Sequence, residues 1–388
     1  MISINQKTLQ DLEFATLLKT ISSYCVTEIG TEKSFAIQPF KNEEELMPAL
    51  RQTSEYLSSF ENNNALPNHG FESITNEIKV LNIENSFLEV ESFKKIATLA
   101  ETAYNLLIFL KKFKEYYPSL YQKSESIEAT KLINQKIDAV LDKYGQIKDN
   151  ASPDLVQIRR NINTVRGKIN QSFGVALSQY HGLGYLDDIK ETIVDNRRVL
   201  AVLAMYRKKV KGSILGNSKT GSIAYIEPEA TLRYSRELNN LEYEEREEII
   251  KILKQLTNSI RPFTELLISY QDFLSDIDVV AAKAYYAREI NGILPNITNK
   301  KRLYFRDAFH PILYQTNKSK NEPIYPQTIE LQQDNRIIVI SGPNAGGKSI
   351  TLKTVGLLQL MIQSGILVPV HPKSEMFFFE KIMTDIGD

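Results

Sequence analysis

The eight residues Gly342-Pro343-Asn344-Ala345-Gly346-Gly347-Lys348-Ser349 have the spacing G-x-x-x-x-G-K-[ST] that cradles a nucleoside triphosphate. Glycines let main-chain N–H groups turn inward around phosphate oxygens, and a following helix points its positive end at them. Lys348 can reach the outer phosphates as a point charge, and the Ser349 hydroxyl can ligate magnesium. ATP and Mg2+ are the expected cofactors, with 342–349 as nucleotide-binding residues and Ser349 as the metal ligand. Such a loop needs a buried strand before it and a helix after it. Ile337-Ile338-Val339-Ile340 predicts the strand, and residues 350–363 predict a helix that Gly365 can end.

Hydrolysis needs a second carboxylate motif, an apolar strand ending in Asp-Glu. Ile382-Met383-Thr384-Asp385 is its nearest imitation, but Thr384 interrupts it and Ile386 stands where the catalytic Glu belongs. Gly387 is two residues after Asp385 rather than three, so a GTPase-type Asp-x-x-Gly fails as well. Only about 40 residues follow Ser349, and a complete P-loop fold needs several more βα units. The expectation is a chain that stops inside its ATPase domain, with no catalytic residue assigned within it.

The elements upstream have to position this loop. The first 150 residues read as helices, with apolar residues at three and four spacing in Leu9, Leu12, Phe14, Leu17, Leu18 and Ile21. Further helical runs are predicted over 92–114 and 126–144. At Ser152-Pro153 the pattern changes to an N-cap and a first-turn proline. From there Leu155, Ile158, Ile162, Val165, Ile169, Phe173, Leu177 and Tyr180 mark a narrow seam on one helix. About 28 residues would carry it some 40 Å. Short β-branched runs follow between 193 and 226, divided by Asp195-Asn196, Gly216-Asn217 and Thr220-Gly221 as turns, so a small antiparallel sheet is expected. A second long helix starts after Glu227-Pro228, and another runs from Pro262 to about Arg288. Residues 292–311 read as irregular and 318–326 as a polar loop. The order helix, sheet, helix predicts an antiparallel pair with a β-tip. Such a pair carries a small surface far from a main body.

Composition bounds the function. Lysine plus arginine equals aspartate plus glutamate, at 47 each, which excludes a uniformly basic coat. Locally the balance differs. Arg197, Arg198, Arg207, Lys208, Lys209, Lys211 and Lys219 face Asp195 alone between 195 and 221, which suits contact with a phosphate backbone. The bland reading of the same lysines is a solvated hairpin with protected edges. Glu244, Glu245, Glu247 and Glu248 read as a solvated face paired with Arg246 or Lys251. The histidines lack metal-ligand spacing. The one cysteine, Cys25, excludes an internal disulfide and fits a reducing compartment. With no apolar stretch long enough for a membrane span, the cytoplasm is the expected location.

The glycine-rich loop followed by Thr351-Leu352-Lys353-Thr354-Val355-Gly356-Leu357 resembles the MutS ATPases. Asp278-Val279-Val280-Ala281-Ala282-Lys283, His310-Pro311, Gln363-Ser364-Gly365, Asp385-Ile386-Gly387-Asp388, Ser152-Pro153-Asp154-Leu155 and Ile226-Glu227-Pro228-Glu229 point to the bacterial type-two paralogue, the MutS-type endonuclease. The resemblance implies a mainly α fold with an α/β part: helical core 1–150, outgoing lever helix 151–184, β-clamp 185–228, returning lever 229–261, helical return 262–300, and an ABC-like ATPase start at 301–388. It implies ATP-dependent binding of double-stranded or branched DNA, suppression of recombination, splitting of stalled ribosomes through rRNA contact, and a homodimer through the ATPase domain. It also makes Tyr325 a stacking face for adenine and His310 either a pocket residue or a turn histidine. Phe87-Leu88-Glu89 imitates a mismatch-reading tripeptide, but the family domain that presents one is absent here. The family's signature segment and Smr nuclease domain are absent from these residues as well. Two other readings stand beside this one. A coiled-coil chromosome ATPase would place the loop before the coil, and an inert helical scaffold would keep only residual nucleotide binding.

Overall fold

The computed structural model describes residues 4–62, 65–342 and 347–386. In chain order the helices are α1 (Gln6–Asp11), α2 (Phe14–Ser22), α3 (Glu28–Phe35), α4 (Glu43–Ser59), α5 (Thr75–Leu81), α6 (Val90–Lys112), α7 (Pro118–Ser124), α8 (Leu132–Val140), α9 (Pro153–Gly182), α10 (Glu229–Ile260), α11 (Thr264–Glu289), α12 (Pro311–Lys320) and α13 (Lys348–Gln363). The strands are β1 (Leu186–Val194), β2 (Arg197–Leu203), β3 (Gly212–Asn217), β4 (Ile223–Pro228), β5 (Asn296–Ile297), β6 (Leu303–Ala308), β7 (Gln327–Leu331) and β8 (Glu375–Met376). The chain is mainly helical with two small sheets and divides into two compact units.

One unit holds residues 83–91 and 135–261. Ser152 caps α9 by accepting from the Leu155 N–H at 3.1 Å, with Pro153 in the first turn where its missing N–H costs nothing. α9 and α10 run antiparallel, tied by Asp154–Lys251, Arg159–Glu245 and Arg166–Glu242. Glu248, which is buried, accepts from Ser152 and pairs with Lys251. Glu245 and Glu248 of the acidic run therefore tie α10 to the start of α9, Glu248 also pairing with Lys251 as expected, while Glu244 and Glu247 stay exposed. Helical spacing within α10 could not reveal the contacts across the pair, because Arg159 lies 86 positions from Glu245 and Ser152 lies 96 from Glu248. The sheet β1-β2-β4-β3 is antiparallel throughout. Asp195 and Asn196 both take positive φ, 48° and 60°, the geometry a two-residue hairpin turn requires. Gly216 and Asn217 are strand residues beside a register shift, not a turn, since their pairing continues to Tyr225 and Ala224. Phe173, Ala176 and Tyr180 of α9 pack on Leu200, Val202, Ala224 and Ile226 of the sheet.

The other unit holds the remaining residues around one apolar core built from α2, α4, α11, β6 and α13. Several boundaries differ from those predicted. Of the helix expected over 126–144 only α8 forms, because residues 126–131 are turn, bend and coil and the main chain turns at Asp142 to Gly145. Within the segment expected to be irregular, β6 places Leu303, Phe305 and Ala308 in the core and pairs with β7 and β8. α12 reaches only the first three residues of the expected polar loop, and residues 321–326 form no helix or strand. His310 caps α12 and Ile312 and Tyr314 pack on the core.

Among the described residues Asp278 of α11 is the most heavily bonded buried acid. It accepts from the Val26 and Thr27 N–H groups, from Thr27 Oγ1 at 2.5 Å and from His69 Nε2 at 3.1 Å. Burial pushes its pKa up, but hydrogen bonds from His69, Thr27 and Val26 outweigh that and hold it below the usual carboxylate value. A depressed acid stabilises the fold above its unfolded pKa, and that stabilisation is lost as pH falls through the folded value. Asp278→Ala should cost about 3 kcal/mol at pH 7, since two main-chain donors lose their buried acceptor. The loss should shrink below pH 4. Urea denaturation at pH 7 and pH 3.5 measures both, and a cost below 1 kcal/mol at pH 7 would contradict the assignment.

Candidate nucleotide and nucleic-acid sites

α13 begins at Lys348, directly after the glycine-rich loop. Its N-cap, Gly347, has φ 80°, a left-handed conformation that a Cβ would strain. Among the described residues no side chain caps the helix, and its first main-chain N–H groups point out of its end. Ser349 is exposed there, and Lys348 Nζ folds back to donate to the Gly342 carbonyl. Pro343, Asn344, Ala345 and Gly346 lie outside the described residues. The donor set suits phosphate, because an uncapped helix end, an ammonium and a hydroxyl sit within three positions.

The predicted strand before the loop is not formed. Residues 337–340 carry no strand pairing, and Ile337 and Val339 are 78% and 86% exposed. A central strand needs hydrogen-bonded neighbours, and among the described residues none lies beside this segment. A cavity of about 490 Å³ opens between it and α13, lined by Leu303, Leu331, Ile338, Ile340, Leu352 and Val355. Tyr325 is not part of that lining. It is 78% exposed between α12 and β7, with its ring open to solvent. His310 is a turn histidine: its Nδ1 accepts from the Leu313 N–H at 3.5 Å, and burial lowers its pKa to about 4. Thr384, in the imitation carboxylate motif, bonds Asp11 and Thr8, which makes it a packing residue.

The far end of α13 is closed in detail. Gly365 (φ 72°) donates to the Ile362 carbonyl and Ile366 donates to that of Met361, a Schellman cap that only a left-handed residue completes. Lys283 of α11 donates to the Ser364 carbonyl at 2.9 Å, setting a buried cation at the negative end of the helix. Sequence spacing pointed to neither residue as a pair, since 81 positions separate them.

In the other unit the tip cations divide into two groups. Arg197 pairs with the buried Glu227 at 3.0 Å, and Arg198 bonds Glu191 and Asn170 while lying over the Phe173 ring. These two serve the fold. Arg207, Lys208, Lys209, Lys211 and Lys219 are exposed. The tip is also less one-sided than its sequence window suggested, because β1 begins at Leu186 and brings in Asp187, Asp188 and Glu191.

A protein of Finegoldia magna named Endonuclease MutS2 is 32% identical over 99% of the chain. Those of Pediococcus pentosaceus and Staphylococcus aureus, with the same name, are 29% identical over 99%. The chain is similar to these MutS2 proteins along nearly all of its own length. It spans about half the length of these relatives, 48–49%. No family model matches it. MutS2 likeness thus covers both units, from the helices before α9 to the residues after α13. Among the described residues no helix is long and apolar enough to cross a membrane.

Burial lowers the Lys283 pKa from 10.5 to about 8, with the Lys123 charge adding to it. The unfolded chain keeps that proton up to about pH 10.5, so it binds more protons than the native state between pH 8 and 10.5. Stability from this group therefore rises with pH across that window. Relative to Lys283→Met, the wild-type protein should gain about 2 kcal/mol between pH 7.5 and pH 10. Urea melts of both proteins at the two pH values measure the difference, and a constant gap would refute the buried charge.

Proposed function

We propose that this chain provides the phosphate-cradling part of an ATP site and a nucleic-acid contact surface in a protein of the MutS family. The observation that carries the proposal is the start of α13: left-handed Gly347, Lys348 and exposed Ser349 at a helix end that no side chain among the described residues caps. Backbone N–H groups and Lys348 would hold the outer phosphates, and Ser349 would ligate Mg2+. Bound magnesium would neutralise phosphate charge there. The name carried by the relatives, Endonuclease MutS2, supports a role on nucleic acid. The exposed cations 207–211 and Lys219 support the β-tip as the place of contact, through sequence-independent phosphate binding.

ATP hydrolysis, a homodimer through the ATPase domain, branched-DNA binding, action on stalled ribosomes and cytoplasmic location belong to this reading as further proposals. Titration of the chain with MgATP by calorimetry tests its core. Saturable binding is expected, with at least a tenfold loss in Lys348→Ala and a comparable loss when EDTA removes magnesium. Equal affinity in the variant would overturn the site.

A further inference from the structure

The tip contains an aromatic series that phosphate binding does not use. Tyr180 of α9 stacks on Tyr185 at 6.4 Å and 25°, and Tyr185 stacks on Tyr206 at 4.6 Å and 21°. Two main-chain bonds fix the arrangement. Leu203 N–H donates to the Tyr185 carbonyl, and Ala204 N–H donates to the Ser222 carbonyl, which ties the end of the β3–β4 turn to the short segment leading into Tyr206. Tyr180 is buried, whereas Tyr185 and Tyr206 are half-exposed, so the series runs from core to surface.

Lys209 lies over both outer rings, its Nζ 5.6 Å from the centroid of Tyr185 and 5.5 Å from that of Tyr206. Exposed residues flank Tyr206 in the chain: Met205, at 76%, on one side, and Arg207 and Lys208 on the other. A rigid ring pair at the surface, an ammonium over it and further cations within reach of a backbone are what binds a single strand: bases stack on aromatic faces while cations follow the phosphates. A paired base cannot use such a surface, since its faces are covered by its neighbours.

We propose that Tyr206, backed by Tyr185 and Lys209, is a stacking platform for an unpaired base of a DNA strand. This rests on the nucleic-acid reading above and narrows it from duplex backbone to a strand with exposed bases. Exposed Met205 favours DNA over RNA, because it offers apolar surface to the thymine methyl that uracil lacks.

The chain contains no tryptophan, so Tyr206→Trp introduces a single fluorophore at the platform. Oligo(dT) of twelve nucleotides should quench its emission saturably, while an abasic strand of the same length and charge should bind without quenching. Equal quenching by the abasic strand would overturn stacking, and equal quenching by oligo(U) would overturn the assignment to DNA. Tyr206→Leu should weaken oligo(dT) binding by about 5- to 100-fold and duplex binding by less than twofold, with Tyr206→Phe close to wild type. An equal loss on duplex and single strand would make the rings structural only. Wild-type protein that binds neither strand nor duplex would instead remove the nucleic-acid reading itself.

Discussion

The helical unit depends on how α11 disposes of its buried polar groups. α11 is covered along most of its length, so its two buried charges, Asp278 and Lys283, have to find partners inside the protein. Asp278 and Lys283 carry opposite signs, yet neither is bonded to the other. Asp278 accepts main-chain N–H groups at the start of α3, and Lys283 donates to a main-chain carbonyl at the end of α13. Gln271 accepts from the Ile74 N–H before α5, and the Tyr270 hydroxyl bonds the Glu128 carbonyl and the Thr130 N–H. One helix thereby fixes the ends of several others. A buried charge removed from its partner costs far more than a surface pair is worth, so these bonds determine which arrangement of helices is tolerated.

That constraint bears on the nucleotide site. With residues 337–340 unpaired, α13 lacks the strand that would ordinarily hold its N-terminal side. Its position comes from the opposite end, through Lys283, the Schellman cap at Gly365, the Thr53 hydroxyl bonded to the Gly365 carbonyl, and the Phe40 N–H bonded to the Gln363 carbonyl. Gln359 and Gln363 add bonds to the Phe377 and Phe379 carbonyls. The end proposed to hold phosphate stays open while the other end is anchored.

Local signals were legible wherever local chemistry decides. Ser152-Pro153 marks the start of α9 because cap and proline act within one turn, and Asp195-Asn196 marks its hairpin because both residues tolerate positive φ. Reading failed where distant partners decide. The run at 337–340 looks like a buried strand, but a strand exists only with neighbours to bond. Leu303–Ala308 alternates too briefly to stand out, yet β7 and β8 recruit it. Of the α10 acids, Glu245 and Glu248 could not be told from the exposed Glu244 and Glu247, because their partners Arg159 and Ser152 are distant in the sequence. At the tip, counting charges from residue 195 missed the acids of β1 and could not tell that Arg197 and Arg198 are committed to Glu227 and Glu191. The Tyr185–Tyr206 stack, formed across 21 positions, left no periodic trace.

The central claim, that α11 anchors α13 from its C-terminal end, is tested most directly by native-state hydrogen exchange. If the claim holds, amides in the last two turns of α13 open together with those of α11, at the same free energy. Lys283→Met would then lower protection in those turns while leaving α9 and α10 unchanged. Last-turn amides that open well before α11, with protection indifferent to the Lys283 substitution, would contradict it.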